Sequence, residues 1–117
     1  MAVPFAVNVP SPLSVNTIPL KEAIVKAPNS MGCYKIFQYG VLKYVGKAED
    51  GIRKRFVQYY NGTTATYSSG SKIYVARNSL TVNWQVCASR EECRSLEKKW
   101  IESYKPEWNV QSGWQNY

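Results

Sequence analysis

From Cys93 to Tyr104 the apolar residues Cys93, Leu96, Trp100, Ile101 and Tyr104 recur at helical spacing. At about 100° per residue, Glu97 falls inside their arc, between Tyr104 and Ile101, whereas Glu91, Glu92 and Glu102 fall outside it. A carboxylate on a core-facing stripe is expensive unless a cation, hydrogen-bond donors or a metal ion compensates it. Two readings stay open: an ion pair with a nearby lysine or arginine, or a ligand for Mg²⁺, which takes one or two protein carboxylates and completes its shell with water and phosphate. A second candidate lies upstream. On a helix from about Gly51 to Tyr60, Ile52, Phe56, Tyr59 and Tyr60 share a face, and Arg55 stands on its edge one turn before Tyr59. Lys47, Arg53 and Lys54 are ordinary solvated charge, speaking only for a polyanionic partner. Tyr34 and Tyr44 lie on the two arms of a hairpin, where tyrosines most often pack.

The inventory removes other chemistries. Histidine is absent from the 117 residues, which excludes Ser-His-Asp and Cys-His triads and histidine-bound metal sites. The only aspartate is Asp50, and apart from Glu22 the acids are bunched on two stretches, Glu49-Asp50 and Glu91 to Glu107, so a one-metal or metal-free site fits better than a two-metal one. Cys33, Cys87 and Cys93 are odd in number and lack CxxC spacing, which reads as buried apolar thiols in a reducing compartment rather than a disulfide framework or zinc cluster. Fifteen Lys and Arg against eight acids give +7, so nucleic acid is the expected partner. No apolar run approaches a membrane span of about 20 residues, and MAVPFAVNVPSP has no basic leader, so the expected location is the cytoplasm.

The elements that must position these groups are legible in outline. Residues 1–27, with Pro4, Pro10, Pro12 and Pro19, read as an extended arm in which Leu20 to Lys26 makes a turn or two of helix. The domain proper is expected over 28–117. Cys33 to Phe37 and Val41 to Val45, with Tyr39-Gly40 between them, predict a β-hairpin. Asp50 is placed to cap the following helix, and Asn61 to Gly70 reads as a polar loop. Ile73, Val75, Ala76 and Leu80 fit a helix, with a strand over Lys72 to Ala76 competing. Val82, Trp84 and Val86 alternate with Thr81, Asn83 and Gln85, predicting a strand with one buried face. Ser89 and Glu92 predict a capping box opening a helix to about Tyr104, where Pro106 stops it. The order suits an α/β (α+β) fold, a small three-stranded antiparallel sheet flanked by helices.

Taken together, these residues resemble the GIY-YIG nuclease family. Gly32-Cys33-Tyr34 is similar to its first tripeptide and Tyr44-Val45-Gly46 to its second. YVGKAEDGIRKRFVQYY, Tyr44 to Tyr60, is closest to the bacterial excinuclease branch of the family, and LEKKWIESYKPEWNV, Leu96 to Val110, to the segment ending in the family's asparagine, Asn109. Cys33 departs from the usual isoleucine or valine. One residue, at Gly51, is inserted before Arg55, leaving Arg53 as a competitor that the helical pairing with Tyr59 disfavours. The resemblance implies a metal-dependent DNA endonuclease, with one Mg²⁺ or Mn²⁺ ion on Glu97 and Arg55 clamping a phosphate oxygen. It implies Tyr34 or Tyr44 as general base; Tyr44 is favoured, with Lys47 lowering its pKa. Tyr59 would orient the nucleophile or a phosphate, and Asn109 would pin the C-terminal segment or a hydrogen-bond network. DNA is the implied substrate, with RNA as the alternative, and a second copy or partner protein would supply specificity. The competing reading is a non-catalytic nucleic-acid-binding module using Trp84, Trp100, Trp108 and Trp114, or an adaptor joined through the arm.

Overall fold

The computed structural model describes residues 16–64 and 68–109. The chain runs β1 (Ile18–Pro19), α1 (Leu20–Lys26), β2 (Gly32–Gln38), β3 (Val41–Ala48), α2 (Ile52–Asn61) and α3 (Ser68–Ala76). A 3₁₀ turn (Arg77–Ser79), β4 (Leu80–Val86), α4 (Arg90–Tyr104) and a second 3₁₀ turn (Glu107–Asn109) complete it. The sheet has four strands in the order β1-β4-β2-β3, every pair antiparallel, which corrects the expected three. The extra strand is two residues long, with Ile18 opposite Val82 and Pro19 opposite Thr81. A dipeptide carries no alternation for sequence to reveal, and proline is tolerated there because β1 is an edge.

The hairpin turns on Tyr39 and Gly40, both at positive φ (52° and 80°), the backbone that matches strand twist in a two-residue turn. Its register sorts the side chains. Tyr34 faces Gly46 and Trp84 across its two ladders, and Ile36 faces Tyr44 and Val82, so these residues share one sheet face. Cys33, opposite Lys47 and Gln85, belongs to the other. The first face packs on α1, α2 and α3 through Leu20, Ala23, Ile52, Phe56 and Ile73. The second packs on α4 through Cys33, Val45, Cys93 and Trp100.

Leu20, Ala23 and Ala27 are fully buried in the main core. The stretch 18–27, expected in an extended arm, is therefore built into the domain; residues 1–15 of that arm lie outside the described residues. α2 is not capped by Asp50. Its first amides go to backbone, Ile52 N donating to the Ser30 carbonyl and Arg53 N to that of Pro28, both at 3.0 Å. The Asp50 carboxylate is left to pair with Lys54 at 3.0 Å and Arg55 at 3.8 Å. The polar loop is shorter than expected, since α2 runs through Asn61 and α3 starts at Ser68. Helix prevails over strand at 72–76, delivering Ile73 to the core. The Ser89 hydroxyl accepts from Glu92 N at 3.1 Å, as a capping box requires, and the Glu92 carboxylate accepts from Ala88 N.

Candidate active site

Tyr34, Tyr44 and Tyr59 form a triangle of phenols, with ring centroids 6.3 Å (Tyr34–Tyr44), 5.9 Å (Tyr34–Tyr59) and 6.4 Å (Tyr44–Tyr59) apart. Strand parity brings Tyr34 and Tyr44 to one face, and α2 lays Tyr59 over them. The Tyr34 and Tyr59 hydroxyls share a hydrogen bond of 2.5 Å. Tyr34 is fully enclosed and Tyr59 is 3% exposed; burial, followed by the neighbouring tyrosines, pushes the Tyr34 pKa well up, and burial raises that of Tyr59. Tyr44 is only half-buried and opens onto a cavity of about 460 Å³ that it lines with Arg55, Gln58, Tyr59, Thr64 and Gly70.

Gly46 makes the triangle possible. A Cβ there would collide with the Tyr34 phenol, so the second glycine leaves the hollow in which that ring lies. Gly32 has the same duty against the Gln85 carbonyl and Ile52 Cδ1. Gly46→Ala is expected to cost about 1–3 kcal/mol of stability by overpacking and to displace the Tyr34 hydroxyl from Tyr59. Urea denaturation checks the first effect and the ultraviolet tyrosine spectrum the second.

Arg55 is the cation beside the tyrosines. Burial opposes its charge, but Tyr34, Tyr59 and Asp50 outweigh that and raise its pKa. Its Nε is buried without a hydrogen-bond partner among the described residues, and so is the Thr64 hydroxyl on the same cavity. Two unpaired buried polar atoms on one cavity are a place for an oxygen-rich ligand. The competitor Arg53 is committed to structure, its Nε donating to the Ala27 carbonyl at 2.6 Å.

Glu97 occupies the other side of the sheet. Its side chain is 24% exposed and pairs with Lys47 at 3.6 Å. Burial raises its pKa against the lowering effect of Lys47, Glu49 adds to the rise, and the charge of Arg55 opposes it. Lys47 therefore does not serve Tyr44 as the sequence suggested. The register that sets Ile36 against Tyr44 sets Cys33 against Lys47, so the two side chains leave β3 on opposite faces. What joins the halves is Arg55. Beyond Lys47 the chain turns through Glu49 and Asp50 into α2, and a groove of about 520 Å³ there is lined by Lys47, Glu49, Asp50, Arg55, Arg90 and Arg94. Arg55 thus lines both this groove and the tyrosine cavity.

Asn109 is buried and locks the outer edge of β3. Its Oδ1 accepts from Val45 N and its Nδ2 donates to the Val45 carbonyl, both at 2.8 Å. One side chain replaces a missing strand between Tyr44 and Gly46, and its loss would leave two buried backbone groups unpaired at about 1–3 kcal/mol each.

Sequence reasoning passed over Gln58, Thr64, Glu49, Arg90 and Arg94. Thr64 carries no periodic signal, lying in the turn between helices. Arg90 and Arg94 are four apart at the start of α4, and both reach Glu49, at 3.6 and 3.2 Å; that spacing was readable, but their partner was not. Trp114 lies outside the described residues. The other tryptophans are engaged in packing: Trp84 on Phe56 at 6.0 Å between centroids, Trp100 beneath the Lys35 ammonium at 3.9 Å, and Trp108 against the main core.

The model of the UvrC-like GIY-YIG domain matches residues 30–110. UvrABC system protein C of Dictyoglomus thermophilum is 30% identical over 93 residues, which are 79% of this chain and 14% of that protein. The protein of the same name from Mycoplasmopsis agalactiae is 36% identical over 96 residues, 76% of this chain and 16% of its own length. This chain thus spans about a seventh of the length of those relatives. Among solved structures, the GIY-YIG N-terminal endonuclease domain of UvrC from Thermotoga maritima, bound to magnesium as its catalytic divalent cation, matches at TM-score 0.63 and 27% identity. The match covers 78% of this chain and 96% of that one.

Proposed function

Because this chain belongs to the UvrC-like GIY-YIG nuclease family, we propose that it is a divalent-metal-dependent endonuclease that hydrolyses DNA phosphodiester bonds, with Arg55 as the link between a tyrosine base and a metal-binding glutamate. The observation that carries this reading is the position of Arg55, open to the tyrosine cavity and to the basic groove, with no hydrogen-bond partner for its Nε among the described residues.

The donor set suits one hard cation. Glu97 offers a half-buried carboxylate whose ion-pair partner among the described residues is Lys47, and a Mg²⁺ or Mn²⁺ ion needs no further protein carboxylate. When bound, the ion supplies Lewis-acid neutralisation of the phosphate and of the leaving oxygen. The rest falls to the chain. Arg55 presents a planar fork to a non-bridging oxygen, directed by its unpaired Nε. Of the three tyrosines Tyr44 is the one that is only half-buried on the cavity, so it takes the proton from the attacking water. Tyr59, fixed by Tyr34, orients the water, and Asn109 holds β3 at Val45, beside Tyr44. Lys47, Arg90 and Arg94 line the groove that receives the backbone.

Supercoiled plasmid incubated with Mg²⁺ or Mn²⁺ should be nicked, and EDTA should stop the reaction; intact plasmid at both metals would leave the binding-module reading. Labelled RNA of matching sequence decides the substrate. Arg55→Lys is expected to lose about 10²-fold in rate, since a point charge cannot restore the bidentate fork; rate recovery by lysine would show that charge alone suffices.

A further inference from the structure

Cys33 on β2, Cys87 just past β4 and Cys93 on α4 come from three separate elements, yet their sulfur atoms all lie within 4.8 Å of one another. All are free thiols. Cys33 and Cys93 are fully buried and Cys87 is 5% exposed. Around them lie Val45, Leu96, Trp100 and Ile101, and among the described residues no carboxylate shares the cluster. The Cys33 thiol donates to the Cys93 carbonyl at 3.1 Å, so it is held protonated in the free protein.

A buried cysteine that only fills space has no need of another sulfur beside it. Three at one point offer three soft donors and nothing hard, the ligand set for a thiophilic centre. The apolar enclosure then chooses among such centres, because residual charge there is costly. Three thiolates leave two negative charges on a monovalent ion, one on a divalent ion, and none on a trivalent centre.

We propose that Cys33, Cys87 and Cys93 form a binding site for a trivalent thiophilic metalloid hydroxide of the arsenous acid class. Three S–H protons pass to three As–OH groups, three As–O bonds break, three As–S bonds form and three waters leave. Arsenic stays trivalent, no electron is transferred, and the product is neutral. Cys93 lies one helical turn before Glu97 on α4, and Cys33 stands opposite Lys47 in the β2–β3 ladder. Occupancy therefore ties α4 to β2 beside the Lys47–Glu97 pair. The binding does not rest on the nuclease reading.

The test uses the full chain, reduced and exposed to sodium arsenite, followed by gel filtration, native mass spectrometry and arsenic X-ray absorption. One arsenic per chain in an all-sulfur shell of three is expected, and each of Cys33→Ala, Cys87→Ala and Cys93→Ala should weaken retention about tenfold or more. A shell of two sulfurs, no arsenic retained by the reduced wild-type chain, or unchanged retention in a folded variant overturns the proposal. Parallel loading with Cu⁺ and Zn²⁺ tests the charge argument, and tighter retention of either overturns the assignment to a trivalent centre. Should a buried variant fail to fold, the wild-type absorption spectrum alone decides.

Discussion

Replacing Glu97 with alanine is expected to abolish divalent-dependent strand scission while DNA affinity stays within about twofold of wild type. The loss follows from what the carboxylate would hold. A hard cation on a scissile phosphate supplies several kcal/mol of charge stabilisation, and at about 1.4 kcal/mol per tenfold the rate should fall by about 10³-fold or more. Binding should persist because it draws on the net charge of +7 and the groove of Lys47, Arg90 and Arg94, and removing an acid makes the chain more positive. The measurement pairs a nicking assay in Mg²⁺ with fluorescence anisotropy at the same ionic strength. Glu97→Gln refines it: an amide keeps the volume and can still meet Lys47, so a folded, DNA-binding, inactive glutamine variant separates metal binding from the structural ion pair at 3.6 Å. An alanine variant that cuts at full rate would move the cation away from Glu97.

Tyr44→Phe should lower the rate by about 10²–10⁴-fold, the range for removing a positioned general base, with an unfolding midpoint close to wild type. The phenol stands at the cavity beside Tyr59, and Tyr59 keeps its 2.5 Å hydrogen bond to Tyr34 when that oxygen is lost, so no buried hydroxyl is left unpaired. Tyr34→Phe makes the informative contrast. The Tyr34 hydroxyl is fully enclosed and bonded to Tyr59, so its removal strands a buried partner and should cost stability of about 1–3 kcal/mol. Rates and urea midpoints for the two variants, measured side by side, distinguish the roles. A Tyr44→Phe protein that cuts at full rate and a Tyr34→Phe protein that is stable but inactive would exchange them.

The elements of this fold were readable wherever one periodicity dominated. The hairpin about Tyr39-Gly40, the alternation of Val82 and Trp84, and the Ser89–Glu92 cap with its helix all follow from local chemistry, although Val86, expected on the same buried face, is exposed at the end of β4. β1 was not readable, because two residues have no period and what makes Ile18–Pro19 a strand is the open edge of β4. Asp50 failed as a cap for a related reason: the amides it was placed to meet are taken by carbonyls of Pro28 and Ser30, which only the packed chain brings near.

For the site, the sequence by itself determined the residue types and their local facing: an acid on an apolar helical arc, an arginine one turn from a tyrosine, and tyrosines on two adjoining strands. Helical and strand periods are properties of the backbone, and they hold before anything packs. Which groups meet was decided only by tertiary structure. The register across β2 and β3 sent Lys47 to Glu97 and away from Tyr44, the packing of α2 placed Arg55 between two cavities, and the pairing of β2 with β4 under α4 brought Cys33 to Cys87 and Cys93, more than fifty residues on. Such meetings depend on pairings between distant segments, and a shift of one residue in any ladder would reverse them.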